Sequence, residues 1–174
     1  MAILLGDKRR FAAEVGDWDG PALRRVDLWA AGQWLTCDDN VAYVEQFRGA
    51  VADTALWLRT GHGSAIPFVD SPPADTHRRL IAGSGTEEAD GELRRQFWLF
   101  DRWGPTTDNV LCFHFREGDR LVITAQFWRE EHLLKHVEQA GRVFVVETRV
   151  SEFAGILEDL VAVLDRAGGA PVPG

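Results

Sequence analysis

The chain has 174 residues, a formal net charge of −8, 45% hydrophobic residues and 10% aromatic ones, which fits one globular domain with a core of its own and excludes wholesale disorder. The negative charge disfavours a phosphate-backbone binder, which needs clustered Lys and Arg, and suits a basic protein or a cation better. Two cysteines without a CxxC pattern exclude a disulfide scaffold and read as reduced thiols.

The first elements form a β-meander. Gly6-Asp7 is a turn signal ahead of a short alternating run, a second run follows over 25–30, and the turn Ala31-Gly32 leads to a third run over 33–36. Asp38-Asp39-Asn40 then reads as a helix start, because short oxygen-bearing side chains cap free N–H groups. Val44, Phe47, Val51, Ala55 and Leu58 recur at helical spacing from about Val41, and Gly61 fits the position just past the helix end. Gly49 within this helix costs about 1 kcal/mol relative to Ala, which predicts a close packing contact there.

Residues 61–91 read as a long loop, with Gly63-Ser64, Ser71-Pro72-Pro73 and Gly83-Ser84-Gly85 as punctuation, an acidic stretch over 86–92, and at most a brief strand or helical turn over 77–82. Gln96-Phe97-Trp98-Leu99-Phe100 is apolar on both faces and predicts a central strand. A hairpin follows, with strands over 110–115 and 121–128 about the connection Arg116–Arg120. A short helix over 129–139, a strand over 143–150 and a final helix complete the order. Ser151 caps that helix, whose apolar set is Phe153, Ile156, Leu157, Leu160 and Leu164, and Gly168-Gly169 ends it. The expected architecture is a single α+β domain over 1–168, with a flexible tail over 169–174. Its core is a mostly antiparallel sheet of about six to seven strands, with two main helices packed on one side. No apolar run reaches the roughly 18 residues of a membrane span, and Met1 to Leu5 is shorter than the roughly 7–15-residue apolar core of a signal peptide. The expectation is therefore a cytoplasmic chain with neither membrane nor nucleic acid as partner.

Motifs that dictate chemistry are sparse. His132 and His136 stand at i and i+4, a zinc-compatible spacing, but Leu133 replaces the Glu of HExxH and no third ligand is evident nearby. His62 and Ser64 lack the strand–turn–helix frame of a nucleophile elbow, and His114 alternates within an apolar strand as a structural, hydrogen-bonded histidine would. Glu87, Glu88, Asp90 and Glu92 lack the spacing of a calcium loop and read as solvated or docking acids. Walker A and GxGxxG patterns are absent. No enzyme activity, metal or cofactor is expected.

One resemblance adds to this. Gly6-Asp7, Lys8-Arg9-Arg10, Phe11-Ala12-Ala13-Glu14, Trp29, Gly32 and Asp38-Asp39 before a helix resemble the start of immunity proteins of bacterial polymorphic toxin systems, specifically the group catalogued as immunity protein 42. The resemblance covers the first third well and the hairpins after Gln96 loosely; Cys37-Asp38 stands where a second Gly-Asp turn is expected. It implies a non-catalytic protein that binds a cognate toxin C-terminal domain and blocks it by occlusion, and a basic toxin would suit the acidic charge. Charge and loop position nominate Asp38, Asp39, Glu87, Glu88, Asp90 and Trp103 as contacts. A small-molecule-binding module or minor enzyme with a pocket near His62 and His114 is the alternative, followed by a purely structural subunit.

Overall fold

The backbone at Gly6 has φ +86, a conformation open to glycine, and it turns the chain between β1 (Ile3–Gly6) and β2 (Phe11–Trp18). Asp7 N–H donates to the Phe11 carbonyl at 3.1 Å and Arg10 N–H to the Asp7 carbonyl at 2.9 Å. β2 pairs in turn with β3 (Leu23–Ala30), and the turn at Ala31 (φ 50) and Gly32 (φ 76) returns the chain as β4 (Gln33–Trp34). This structure is a computed structural model, and it describes residues 1–166.

Asp38-Asp39-Asn40 does not start the helix. The Asp39 carboxylate accepts the Val41 N–H at 3.1 Å, and the chain enters a further strand, β5 (Val41–Tyr43), which pairs with Leu23–Arg25 of β3. The reason is the edge left by β4, which covers only Trp29 and Ala30 of β3. The remaining backbone groups of β3 need partners, and β5 supplies them. Helix α1 (Val44–Arg59) begins only at Val44, with no side-chain cap at Tyr43.

Helix α1 buries Phe47, Val51, Ala55 and Leu58 in the main core, as its spacing predicts, with α5 (Val150–Arg166) as its principal neighbour. Helix α5 buries Phe153, Ala154, Leu157, Leu160 and Leu164. The Phe153 ring meets Phe11 edge-on at 4.6 Å. Arg59 holds Glu158 in a two-pronged pair at 2.8 Å, Arg48 pairs with Asp165, and Arg10 reaches Glu152 at 2.7 Å. Ser151 is not the cap of α5: Asp119, from the preceding hairpin, accepts both its N–H (3.0 Å) and its hydroxyl (3.2 Å). Among the described residues the expected packing contact at Gly49 is also absent, since a Cβ there would meet nothing within 4 Å.

The segment 61–91 is not a long loop. It carries α2 (Pro73–Ala82) and the first turn of α3 (Glu87–Phe97), whose N-cap is Thr86. Residues 96–100 form the end of α3 and a bridge from Trp98 to Phe113, not a central strand. Their two-sided apolarity reflects burial at a helix end, which periodicity cannot separate from a short strand. β6 (Val110–Glu117), β7 (Arg120–Phe127) and β8 (Phe144–Arg149) make a second, three-stranded antiparallel sheet. One face of it joins the main core through Val110, Cys112, Leu121, Ile123, Ala125, Phe127 and Val146. The other face is covered by α2 and α3, which bury Leu80 and Phe97 against Phe113, Phe115 and Val122. Between β7 and β8 runs α4 (Glu130–Lys135), continued by a 3-10 turn over Val137–Gln139. The α+β class holds, but the expected single sheet is two, and helices pack on both sides of the second. The Gly168-Gly169 stop and the tail over 169–174 lie outside the described residues.

Candidate functional site

The sequence-nominated acids fall into two groups. Glu87 and Glu88 stand exposed in the first turn of α3, where carboxylates suit the positive end of the helix dipole. Asp39 is exposed beside β5, capping Val41. Asp90 is committed internally: it accepts the N–H groups of Ser84 and Gly85 at 3.1 Å, and those bonds hold its carboxyl below the usual range. Asp38 is likewise engaged: its Oδ2 lies 2.7 Å from His132 Nδ1 and accepts from the Asn109 amide.

Trp103 is a core residue, 1% exposed. Its ring packs among Phe47 and Phe100, and its Nε1–H donates to Thr54 Oγ1 at 3.0 Å. The exposed aromatics are others. Trp18, Trp34, Trp98 and Trp128 are each more than a third accessible, whereas most phenylalanines are buried. Phenylalanine thus fills the core while tryptophan, which carries a polar N–H, gathers at the surface. Trp103 misleads in the sequence because Gly104-Pro105 beside it resemble loop punctuation.

A cleft of about 500 Å³ opens between α1 and the segment running from Arg95 to Trp103. Asp53, Thr54 and Trp57 line it from α1, Arg95 and Trp98 from the opposite side, and His114 of β6 also lines it. Trp57 stacks on His62 with centroids 5.7 Å apart and meets His114 edge-on at 5.1 Å. His114 is buried and, among the described residues, neither ring nitrogen has a hydrogen-bonding partner at good geometry, so the expected hydrogen-bonded histidine is not what forms there. Burial pushes its pKa down to about 4, the Arg116 charge adding to the shift and the Phe97 backbone opposing it. His62 Nδ1 lies 2.9 Å from Thr60 Oγ1 and 3.2 Å from the Trp57 carbonyl. Among the described residues no hydrogen bond joins it to Ser64, so the nucleophile pairing is not assembled.

The class these features define is an α+β domain of two antiparallel sheets with a shallow aromatic cleft and an acidic exterior. The structure is similar to that of CdiI from Burkholderia dolosa AUO158, with a TM-score of 0.64 and 12% sequence identity over 92% of this chain and 99% of that one. The likeness establishes a shared fold. No protein-family model matches the chain, and no curated protein matches it.

Proposed function

We propose that this chain is an immunity protein that binds one cognate toxin domain and neutralises it by occlusion, without catalysis. The observation that carries the proposal is the near end-to-end likeness to CdiI, an immunity protein of contact-dependent growth inhibition. The net charge of −8 and the four accessible tryptophans support it. Acids steer a basic partner into place, and desolvated aromatics anchor it. The finer reading is a basic toxin C-terminal domain, met in the cytoplasm by a protein of the polymorphic-toxin type resembling immunity protein 42. Of the nominated contacts, Asp39, Glu87 and Glu88 have carboxylates available for docking, and Trp98 joins them as an aromatic anchor. Co-expression with the open reading frame immediately upstream tests this. The expected result is a C-terminal domain that kills the host alone, is neutralised by this chain and co-purifies with it. A harmless product that forms no complex overturns the proposal.

The second reading, a small-molecule-binding module, is favoured by the unpartnered His114 in the cleft. A planar ligand there would quench Trp57 and Trp98 fluorescence. Saturable quenching by a metabolite that leaves toxin neutralisation intact would assign the cleft to that ligand.

A further inference from the structure

We propose that Cys37, Asp38, His132 and Asn109 form a four-ligand site for a zinc-class divalent ion that ties the first sheet to the second. Cys37 and Asp38 follow β4 in the first sheet, Asn109 precedes β6, and His132 lies on α4 beyond β7. The Cys37 Sγ, an Asp38 carboxylate oxygen and a His132 ring nitrogen all lie within 4.8 Å of one another. A thiolate, an imidazole and hard oxygens together suit zinc.

Several of the spacings match those of a tetrahedral zinc ion. With Zn–S near 2.3 Å and Zn–N or Zn–O near 2.0 Å, ligand atoms sit about 3.5 Å apart for S with N or O, and about 3.3 Å apart for N with O or N. His132 Nδ1 is 3.7 Å from Cys37 Sγ, Asn109 Nδ2 is 3.8 Å from the same sulfur, and the two nitrogens are 3.3 Å apart. The two contacts that are too short, His132 at 2.7 Å and Asn109, both end on Asp38 Oδ2. That carboxylate is one-third exposed, so it has room to step outward as an ion enters.

Two further observations point to a cation. His132 Nε2 faces Gln139 Oε1 at 2.6 Å, the kind of outer hydrogen bond that a metal-ligating histidine makes through its other ring nitrogen. Nδ1 lies 2.7 Å from Asp38 Oδ2, and an ion bound at the cluster would take both atoms as ligands. Asn109 is 3% exposed, and its Oδ1 is buried without a partner. Turning the amide by 180° brings that oxygen into the cluster as the fourth ligand. On binding, the Cys37 thiol releases its proton to solvent and the thiolate joins the ion. His136, the i+4 neighbour, is not a ligand: it is half-exposed and faces Glu138 at 3.7 Å.

The test uses metal-stripped full-length protein titrated with Co²⁺, a spectroscopic substitute for zinc. One equivalent is expected to bind with thiolate-to-cobalt charge transfer and the strong visible bands of a tetrahedral ion, both erased by Zn²⁺. Cys112 is fully buried, so the charge-transfer signal reports Cys37. Cys37→Ser, at a half-buried position, is expected to lose that band with an unchanged circular dichroism spectrum. Gln139→Ala is expected to keep the band and weaken affinity about 10–100-fold. Free Zn²⁺ at about 100 times its Kd should raise Tm by roughly 5 °C. Absence of the band, an octahedral spectrum, or the same band in Cys37→Ser overturns the site. An unchanged Tm at saturation overturns its role as a tie between the sheets.

Discussion

His77 Nδ1 and Thr124 Oγ1 lie 2.8 Å apart in a wholly buried pair that joins α2 to the middle of β7. Burial pushes the pKa of His77 down to about 4, with the Arg78 charge adding and the Gln126 side chain opposing. His114 is displaced to about 4 as well, again chiefly by burial. Both rings are neutral in the fold at pH 7, and in the unfolded chain they take up protons near 6.5. Their folded values are depressed, so the unfolded state binds more protons between 4 and 6.5. The stability from keeping them neutral is full above about pH 6.5 and is lost as pH falls toward 4, on the order of 3 kcal/mol for each ring. Urea midpoints at pH 7, 6, 5 and 4 check this: His77→Gln should flatten the fall, and an unchanged slope would assign it to other groups.

Gly6→Ala and Gly49→Ala should move stability in opposite directions. At Gly6 a Cβ would strike the Phe11 carbonyl oxygen and lie 2.9 Å from Ile156 Cδ1, at a φ of +86. The expected loss is roughly 1–3 kcal/mol. At Gly49 the space is open, and the helix propensity of alanine should add up to about 1 kcal/mol. Equilibrium unfolding of the two variants side by side measures both.

Trp103→Ala should lower stability by about 3–5 kcal/mol, because it empties a core position. Trp98→Ala, at a ring more than a third exposed, should stay within about 1 kcal/mol of the parent and act on toxin binding instead. Thermal denaturation and calorimetric titration with the toxin domain separate the two. A Trp103→Phe variant that folds normally but binds tenfold more weakly would return Trp103 to the interface.

Reversing charge at Glu87 and Glu88 together should slow toxin association on the order of 10-fold and flatten its salt dependence. These acids also favour the α3 N-terminus, by about 0.3–1 kcal/mol each, so the double Gln variant serves as the control for helix stability. Stopped-flow association at several salt concentrations reads the effect; identical rates in all three proteins remove α3 from the interface.

The hairpins at Gly6, Ala31-Gly32 and Gly118 were legible because positive φ at those sites selects residue types locally. Helices α1 and α5 were legible because each buries one continuous stripe. β5 was not, since Val41–Tyr43 are extended only because β3 offers an open edge, a tertiary demand invisible in Asp38-Asp39-Asn40. Helix α2 hid behind Pro72-Pro73, which end one kind of structure and begin another: Pro73 occupies the first helical position. Charge alone nominated Glu87 and Glu88, and the structure leaves both exposed in the first turn of α3. The union of Cys37, Asp38 and His132 was not legible, because 94 residues separate Asp38 from the histidine and only the packing of two sheets closes that distance.

Helix α5 is synthesised after every strand of both sheets, yet it covers β2, one of the earliest. During translation Phe11 must therefore wait for its Phe153 neighbour while more than a hundred further residues emerge. The nascent chain carries an adhesive surface for most of its synthesis. Selection for solubility acts on that half-made state as well as on the finished molecule.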